Sequence, residues 1–233
     1  MGHSPEWEIG KDEFLRRLDF SDSEFQRNLH LPNIKNIKRV VPLRYLQNIA
    51  TAPVPMTIDM LLRFISHIKT MDGQNPFKTH TVELSKIDPK QLKIGQKFVY
   101  RENYQDLLEN LTGLFGRFAI PCGVSELGAY FIFGKDKDGL DAMACYTPPI
   151  IEQHNSSLII MDGIHRSYIT KQLGSTISAL IVRGVDVPFP CGLHSWEDIG
   201  VISLDEKPKN INDRYFELEK GLFRDLKYFG IDG

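Results

Sequence analysis

Apolar residues along this chain first recur at helical spacing and later alternate or run together as strands do. KDEFLRRLDF places Phe14, Leu15 and Leu18 on one side of a short helix. SDSEFQRNLHL sets Phe25 and Leu29 four apart, after a capping-type start at Ser21 or Ser23. TIDMLLRFISHIKTM is the clearest helix of this half, with Thr57 as cap candidate and Ile58, Leu61, Leu62, Ile65 and Ile68 on its apolar face. MDGQNP, residues 71–76, is rich in turn formers and closes the segment.

From His80 the period changes. HTVELSKI reads as a strand that ends at Asp88-Pro89. KFVYRENYQDLLENLTGLFG reads as a short extended piece followed by a helix with Tyr104, Leu107, Leu108 and Leu111 inward. Residues 118–146 read as a hairpin, in which GAYFIFG and LDAMACY flank the turn KDKDG. The stretch from Pro148 to Gly184 reads as strand, turn, strand, tight turn, helix, glycine stop, strand. In the tail, the spacing of Tyr215, Phe216, Leu218, Leu222, Phe223 and Leu226 predicts a helix or helix pair. The result is a helical N-terminal extension at residues 1–75 and a second unit at 76–233, with a hairpin insertion and C-terminal helices. No regular strand–helix alternation runs through it, so the class is α+β.

Composition narrows the function classes. With 28 basic and 30 acidic side chains in 233 residues the formal net charge is −2, unlike a protein that coats nucleic acid by charge alone. Cys122, Cys145 and Cys191 are odd in number and far apart, which argues against a disulfide framework and points to a reducing, cytoplasmic setting. No run reaches the roughly 18 apolar residues that a membrane span needs, so no membrane partner is expected.

SSLIIMDGIHRSYITKQLG carries the candidate chemistry. A buried strand ends at Met161, Asp162-Gly163 turns the chain, and the first helical turn holds Ile164, His165 and Arg166. Helix starts are electropositive and favour acids by about 0.3–1 kcal/mol each, so two basic residues there need a reason. A phosphate supplies one. Backbone N–H groups point at it, Gly163 allows a close approach, Arg166 grips two oxygens and His165 donates a further bond. On this reading Ile164, Tyr168, Ile169 and Leu173 pack inward and His165 and Arg166 stand clear of the core. The plainer alternative has Asp162 capping the helix, Arg166 paired to it and His165 solvated.

Asp-Gly-Ile-His-Arg at 162–166 resembles the phosphate-binding signature of the ParB/sulfiredoxin superfamily, and the likeness extends over residues 80–185. VELSKIDP resembles that family's opening strand, VYRENYQDLLENL the turn and helix after it, Pro148-Pro149-Ile150-Ile151 the strand before the signature, and GSTISALIV the strand after the helix. The resemblance implies a mixed sheet with flanking helices and a nucleotide or phosphate bound at the arginine-bearing helix start. Members include CTP-dependent partition proteins, nucleases, sulfiredoxin and an ADP-dependent serine kinase. Sulfiredoxin has a cysteine where this chain has Ile164, so sulfinic-acid reduction is not expected. Partition proteins carry a helix-turn-helix module that is not evident in this tail. The string is closest to the serine-kinase-like and nuclease-like members.

The resemblance also places Glu102 after the first strand, where the kinase-like members keep a glutamate, with Arg101 as a second phosphate contact. The expected catalytic residues are Asp162, Glu102 and His165, and the expected nucleotide contacts are Gly163, Ile164, His165, Arg166 and Arg101. The cofactor is ATP, ADP or CTP, with Mg²⁺ and no dedicated metal-ligand set. The expected partner is a small-molecule phosphate acceptor, and the alternative is a nucleic-acid-associated module or nuclease. Glu102 could instead merely open its helix, and Asp162 hold a metal or activate an acceptor through water. Cys191-Gly-Leu-His194 is half of a zinc set without its other half. His67, His154 and the basic stretch from Lys35 to Arg44 read as ordinary core or solvated positions. No Walker loop, dinucleotide fingerprint or nucleophile elbow is present.

Overall fold

In the computed structural model, which describes residues 9–29, 37–47, 54–77, 80–106 and 128–226, helices and mixed sheets divide between two units. One comprises Met1–His67, Arg117–Thr147 and Leu226–Asp232, the other Ile68–Gly116 and Pro148–Asp225. No helix among the described residues is long and apolar enough to cross a membrane.

In the first unit, helix α1 (Lys11–Arg17) starts after Gly10 without a side-chain cap, while α2 (Asp22–Leu29) and α3 (Ile58–His67) begin where polar caps fall. The Ser21 hydroxyl accepts the Glu24 N–H at 3.1 Å, and the Thr57 hydroxyl accepts that of Met60 at 3.3 Å. Each helix buries a phenylalanine. Phe14, Phe25 and Phe64 meet Phe131 in a ring cluster with centroids 5.4 to 6.1 Å apart. Phe131 lies on a five-stranded sheet of order β1-β2-β8-β7-β3, built from β1 (Ile9–Gly10), β2 (Arg39–Val40), β3 (Val54–Pro55), β7 (Tyr130–Lys135) and β8 (Asp141–Tyr146).

The β7–β8 hairpin turns where KDKDG predicts. Asp136 accepts the N–H groups of Asp138 and Leu140, both at 2.9 Å. Its sheet partners differ from the expectation. β8 pairs in parallel with β2, and β7 pairs antiparallel with β3. The hairpin thus completes the sheet of the N-terminal segment instead of interrupting the second unit, and that segment is not purely helical. A hairpin with both faces apolar needs further strands beside it, and here β2 and β3 supply them.

The second unit holds a sheet of order β4-β11-β9-β10-β5, with β4 (Thr81–Ile87), β5 (Leu92–Lys93), β9 (Ile150–His154), β10 (Ser157–Asp162) and β11 (Ile177–Arg183). β11 runs parallel to β9 and antiparallel to β4, while β10 is antiparallel to β9 and parallel to β5. A separate parallel pair joins β6 (Phe98–Tyr100) to β12 (Gly200–Ile202). Helix α4 (Arg101–Asp106) follows β6, and helix α5 (Ile164–Gln172) follows β10. Ile151, Ile160, Ile164, Ile181 and Trp196 form the core beneath α5. Leu107, Leu108 and Leu111 lie outside the described residues.

Two expectations are corrected. Leu173 is 73% exposed and not on the packing face, because the face α5 buries is set by Ile164, His165 and Ser167. The tail forms no α-helix within the described residues, only 3-10 turns at Ile211–Arg214 and Lys220–Leu222. Its backbone bonds go elsewhere: Phe216 N–H to Gly95 at 2.8 Å, Glu219 N–H to Pro190 at 2.7 Å, and Asp225 N–H to Lys69 at 2.8 Å. Groups spent between segments cannot close helical turns.

Candidate functional site

Two strand ends meet at the first turn of α5. β10 ends at Asp162 and β6 at Tyr100, while β12 lies in register beside β6, with Ile202 opposite Tyr100. Gly163 makes the turn at φ 90° and ψ 27°, a left-handed conformation that glycine adopts without steric cost. It also lies against Pro149, such that a Cβ there would fall 2.8 Å from the proline Cβ. No side chain caps α5, and no acid stands in its first turn.

The opening electrostatic puzzle is largely settled inside the protein. The Asp162 side chain has no exposure, and its Oδ2 accepts from Arg166 Nη2 at 3.1 Å. Arg166 keeps 12% of its side chain exposed. His165 is 3% exposed, and its Nε2 accepts the Tyr100 backbone N–H at 3.1 Å. A nitrogen that accepts this bond carries no proton, so the imidazole is neutral with its hydrogen on Nδ1. His165 therefore does not stand clear of the core as expected, and it is not solvated either. It fastens the end of β6 to α5.

Glu102 has a definite duty. Its carboxylate accepts from the Ser203 hydroxyl at 2.8 Å and from the Leu204 N–H at 2.7 Å. The Ser203 bond first, with backbone N–H groups after it, holds its pKa below the usual carboxylate range. A carboxylate held as an anion anchors well and takes protons poorly near neutral pH. Arg101 stands exposed at the start of α4. The structure thus brings Gly163, Ile164, His165, Arg166 and Asp162 together as one turn, with Glu102 turned to the segment after β12.

Sequence reasoning missed Tyr100, Ser203 and Lys207. Tyr100 is buried, its ring centroid 5.8 Å from that of His165, and Lys207 Nζ lies 5.1 Å from the same tyrosine ring. Burial pushes the Tyr100 phenol up, partly offset by Arg214, and burial likewise raises Tyr215, so both hydroxyls keep their protons. The Ser203-x-x-Glu206 spacing was the available signal, since these residues form a capping box.

Elsewhere, burial pushes the Cys191 thiol up to about 12. His194 stacks on Phe216 at 3.7 Å and bonds Asp198 at 3.3 Å. No group of three or more His, Cys, Asp or Glu side chains suited to a metal occurs among the described residues. At the other end of β10 a polar cleft of about 340 Å³ is lined by Gln153, His154, Asn155, Arg183 and the 184–186 loop. Compared with protein-family models, with curated proteins and with solved structures, the chain matches none.

Proposed function

We propose that the chain binds a nucleotide through the Asp162–Arg166 turn and is an enzyme of the ParB/sulfiredoxin-like type acting on that nucleotide's phosphates, a small-molecule kinase or a nucleotide hydrolase. The observation that carries this reading is a helix start with no side-chain cap and no acid in its first turn, beside an arginine held by a carboxylate four residues earlier. Capped helices meet their first N–H groups with a serine, threonine or aspartate. Here a left-handed glycine presents those groups instead, the arrangement that suits a phosphate. The chain order β9, β10, turn, α5, β11 is also the order that the sequence resemblance implies.

In this reading the turn amides and Arg166 hold the phosphates, Asp162 orients the guanidinium, and His165 fastens the end of β6 beside them. Glu102 and Asp162 do not fit a cage for Mg²⁺, because one is bonded to the 203–204 backbone and hydroxyl and the other to Arg166. A divalent ion would therefore arrive with the nucleotide, held by phosphate oxygens and water.

A thermal-unfolding panel of ATP, ADP and CTP, with and without Mg²⁺, tests the reading. Ligand at 100 times its dissociation constant adds about 2.7 kcal/mol of stability. One nucleotide is expected to raise the unfolding temperature of the wild type and to leave Arg166→Gln unmoved. Glutamine retains a donor for the buried Asp162, so that variant stays folded. A wild type unmoved by every nucleotide overturns the proposal. A duplex DNA arm with steep salt dependence would favour the nucleic-acid-associated alternative.

A further inference from the structure

β9 and β11 run in parallel as neighbours, with Ile151 beside Ile181 and Glu152 beside Val182, so their carboxyl ends lie side by side. Such ends are where α/β sheets gather ligands. The chain leaves the two strands through left-handed residues, Asn155 at φ 52° and Gly184 at φ 74°. Both exits line the polar cleft of about 340 Å³, the size of a small-molecule site. The length of β10 separates it from the Asp162 turn, since Ser157 stands opposite His154 and Asp162 opposite Ile150. Six residues of strand put the two about 17 Å apart, so the cleft is a separate site.

The side chains of the cleft are held in place by the protein itself. Glu152 and His154, two apart on one strand, share a face, and His154 Nε2 lies 2.7 Å from Glu152 Oε2. Arg224 grips both oxygens of the fully buried Glu152, so that carboxylate only accepts, and Nε2 carries the imidazole proton. Nδ1 makes no hydrogen bond within the described residues and is an acceptor in the neutral ring. Phe189 meets that ring edge-on, with centroids 6.1 Å apart. Arg183 is braced by Glu83, 3.0 Å from Nη2, and by Gln153, whose own Nε2 donates to the Asn155 carbonyl at 3.0 Å. One N–H on each Nη of Arg183 and the Asn155 carboxamide make no hydrogen bond within the described residues.

Charge decides the class of ligand. One guanidinium and one carboxylate line the cleft, Arg183 and Asp186, and Glu83 already answers Arg183. With the imidazole neutral, the lining has no net charge to draw in an anion or a cation. Its fixed donors stand beside a fixed acceptor, the complement of hydroxyl groups, each of which both donates and accepts. We infer that the cleft binds a neutral polyhydroxylated molecule of monosaccharide size. Arg183 and Asn155 donate to its oxygens, and Nδ1 of His154 accepts a hydrogen bond from one of its hydroxyls. Glu152 and Arg224 are positioning residues that touch no ligand.

The ¹⁵N-labelled wild type, titrated with D-glucose, D-galactose, D-mannose and D-ribose and followed through its backbone amide resonances, tests the inference. At least one sugar is expected to shift Asn155, Gly184, Val185 and Asp186 together and to saturate. Acetate and methylammonium, a small anion and a small cation, are expected to leave them in place. Asn155→Gly keeps the left-handed turn, which glycine adopts freely, and removes only the carboxamide. It is expected to weaken that sugar about three- to tenfold, the scale of one hydrogen bond. Long-range ¹H–¹⁵N spectra are expected to show His154 protonated at Nε2, with its Nδ1 resonance moving as the sugar saturates. No saturable shift with any of the four sugars, a saturable response to acetate or methylammonium instead, or an Asn155→Gly variant that binds as wild type does overturns the inference. None of these outcomes bears on the phosphate-binding reading of the Asp162 turn.

Discussion

Arg224→Ala is expected to lower the free energy of unfolding by about 3–5 kcal/mol, the cost of stranding a buried charge. All five N–H donors of Arg224 are used. Nε and Nη2 grip the two oxygens of Glu152 at 2.9 and 2.8 Å, and the remaining bonds go to the carbonyls of Pro188, Leu222 and Val187 at 2.9, 2.7 and 3.0 Å. Glu152 has no exposed side-chain surface and stands on β9 in the middle of the five-stranded sheet. Its Oε2 also meets His154 Nε2 at 2.7 Å. Removing the arginine leaves a desolvated carboxylate with only that imidazole, and frees the chain segment that the guanidinium ties to the sheet. Urea unfolding read at the midpoint measures the loss. Pairing it with Glu152→Gln should recover part of the stability, since no charge is then stranded. Equal losses for the single and paired variants would show that packing, and not charge, is responsible.

Gly163→Ala is expected to cost about 2–5 kcal/mol, from two separate sources. A left-handed residue with a Cβ is strained wherever it stands, and at this position the Cβ also meets a rigid ring. The Pro149 Cβ, Cγ and Cα would lie 2.8, 2.9 and 3.0 Å away. Proline cannot turn aside, so either β9 or the turn must shift. Gly174 provides the internal standard. It too is left-handed, at φ 63°, but nothing lies within 4 Å of its would-be Cβ. Gly174→Ala should therefore show the conformational cost alone, about 1 kcal/mol. Thermal unfolding of the two variants side by side separates the terms, and equal losses would remove the steric argument. Because the turn amides move with Gly163, the alanine variant is also expected to lose its response to nucleotide.

Local pattern carried the second unit far. Alternation and Gly or Asp-Gly punctuation located β4, β9, β10 and β11, and Asp162-Gly163 marked the turn into α5 because few other dipeptides tolerate it. The hairpin was legible as a hairpin for the same reason, but its pairing with β2 and β3 was not. Parallel pairing with Arg39–Val40 spans some hundred residues, and two-residue strands have no period to read. In the tail, apolar residues at three- and four-residue intervals mimicked a helix. Cross-segment hydrogen bonds won instead, anchored at the end by Arg224.

The candidate turn was legible as a constellation, while the protonation and partners of its members were not. A histidine and an arginine at a helix start look like two cations. Burial against the Tyr100 amide makes one neutral, and Asp162 compensates the other. Neither fact has a signature in spacing, because Tyr100 lies some sixty residues before the turn. Glu102 was visible as a carboxylate at a helix start, yet its bond to Ser203 depends on the β6–β12 pairing. Lys207 lies beyond the stretch that carries the family resemblance, so only its position over Tyr100 brings it to notice.

The most direct measurement is a titration of the ¹⁵N-labelled protein with ADP, followed through its backbone amide resonances. The amides of Gly163, Ile164, His165 and Arg166 are expected to shift together and saturate, whereas adenosine, which lacks phosphate, leaves them in place. Resonances of that turn that stay fixed while ADP saturates some other part of the protein, such as the cleft beside His154 and Arg183, would contradict phosphate binding at the start of α5.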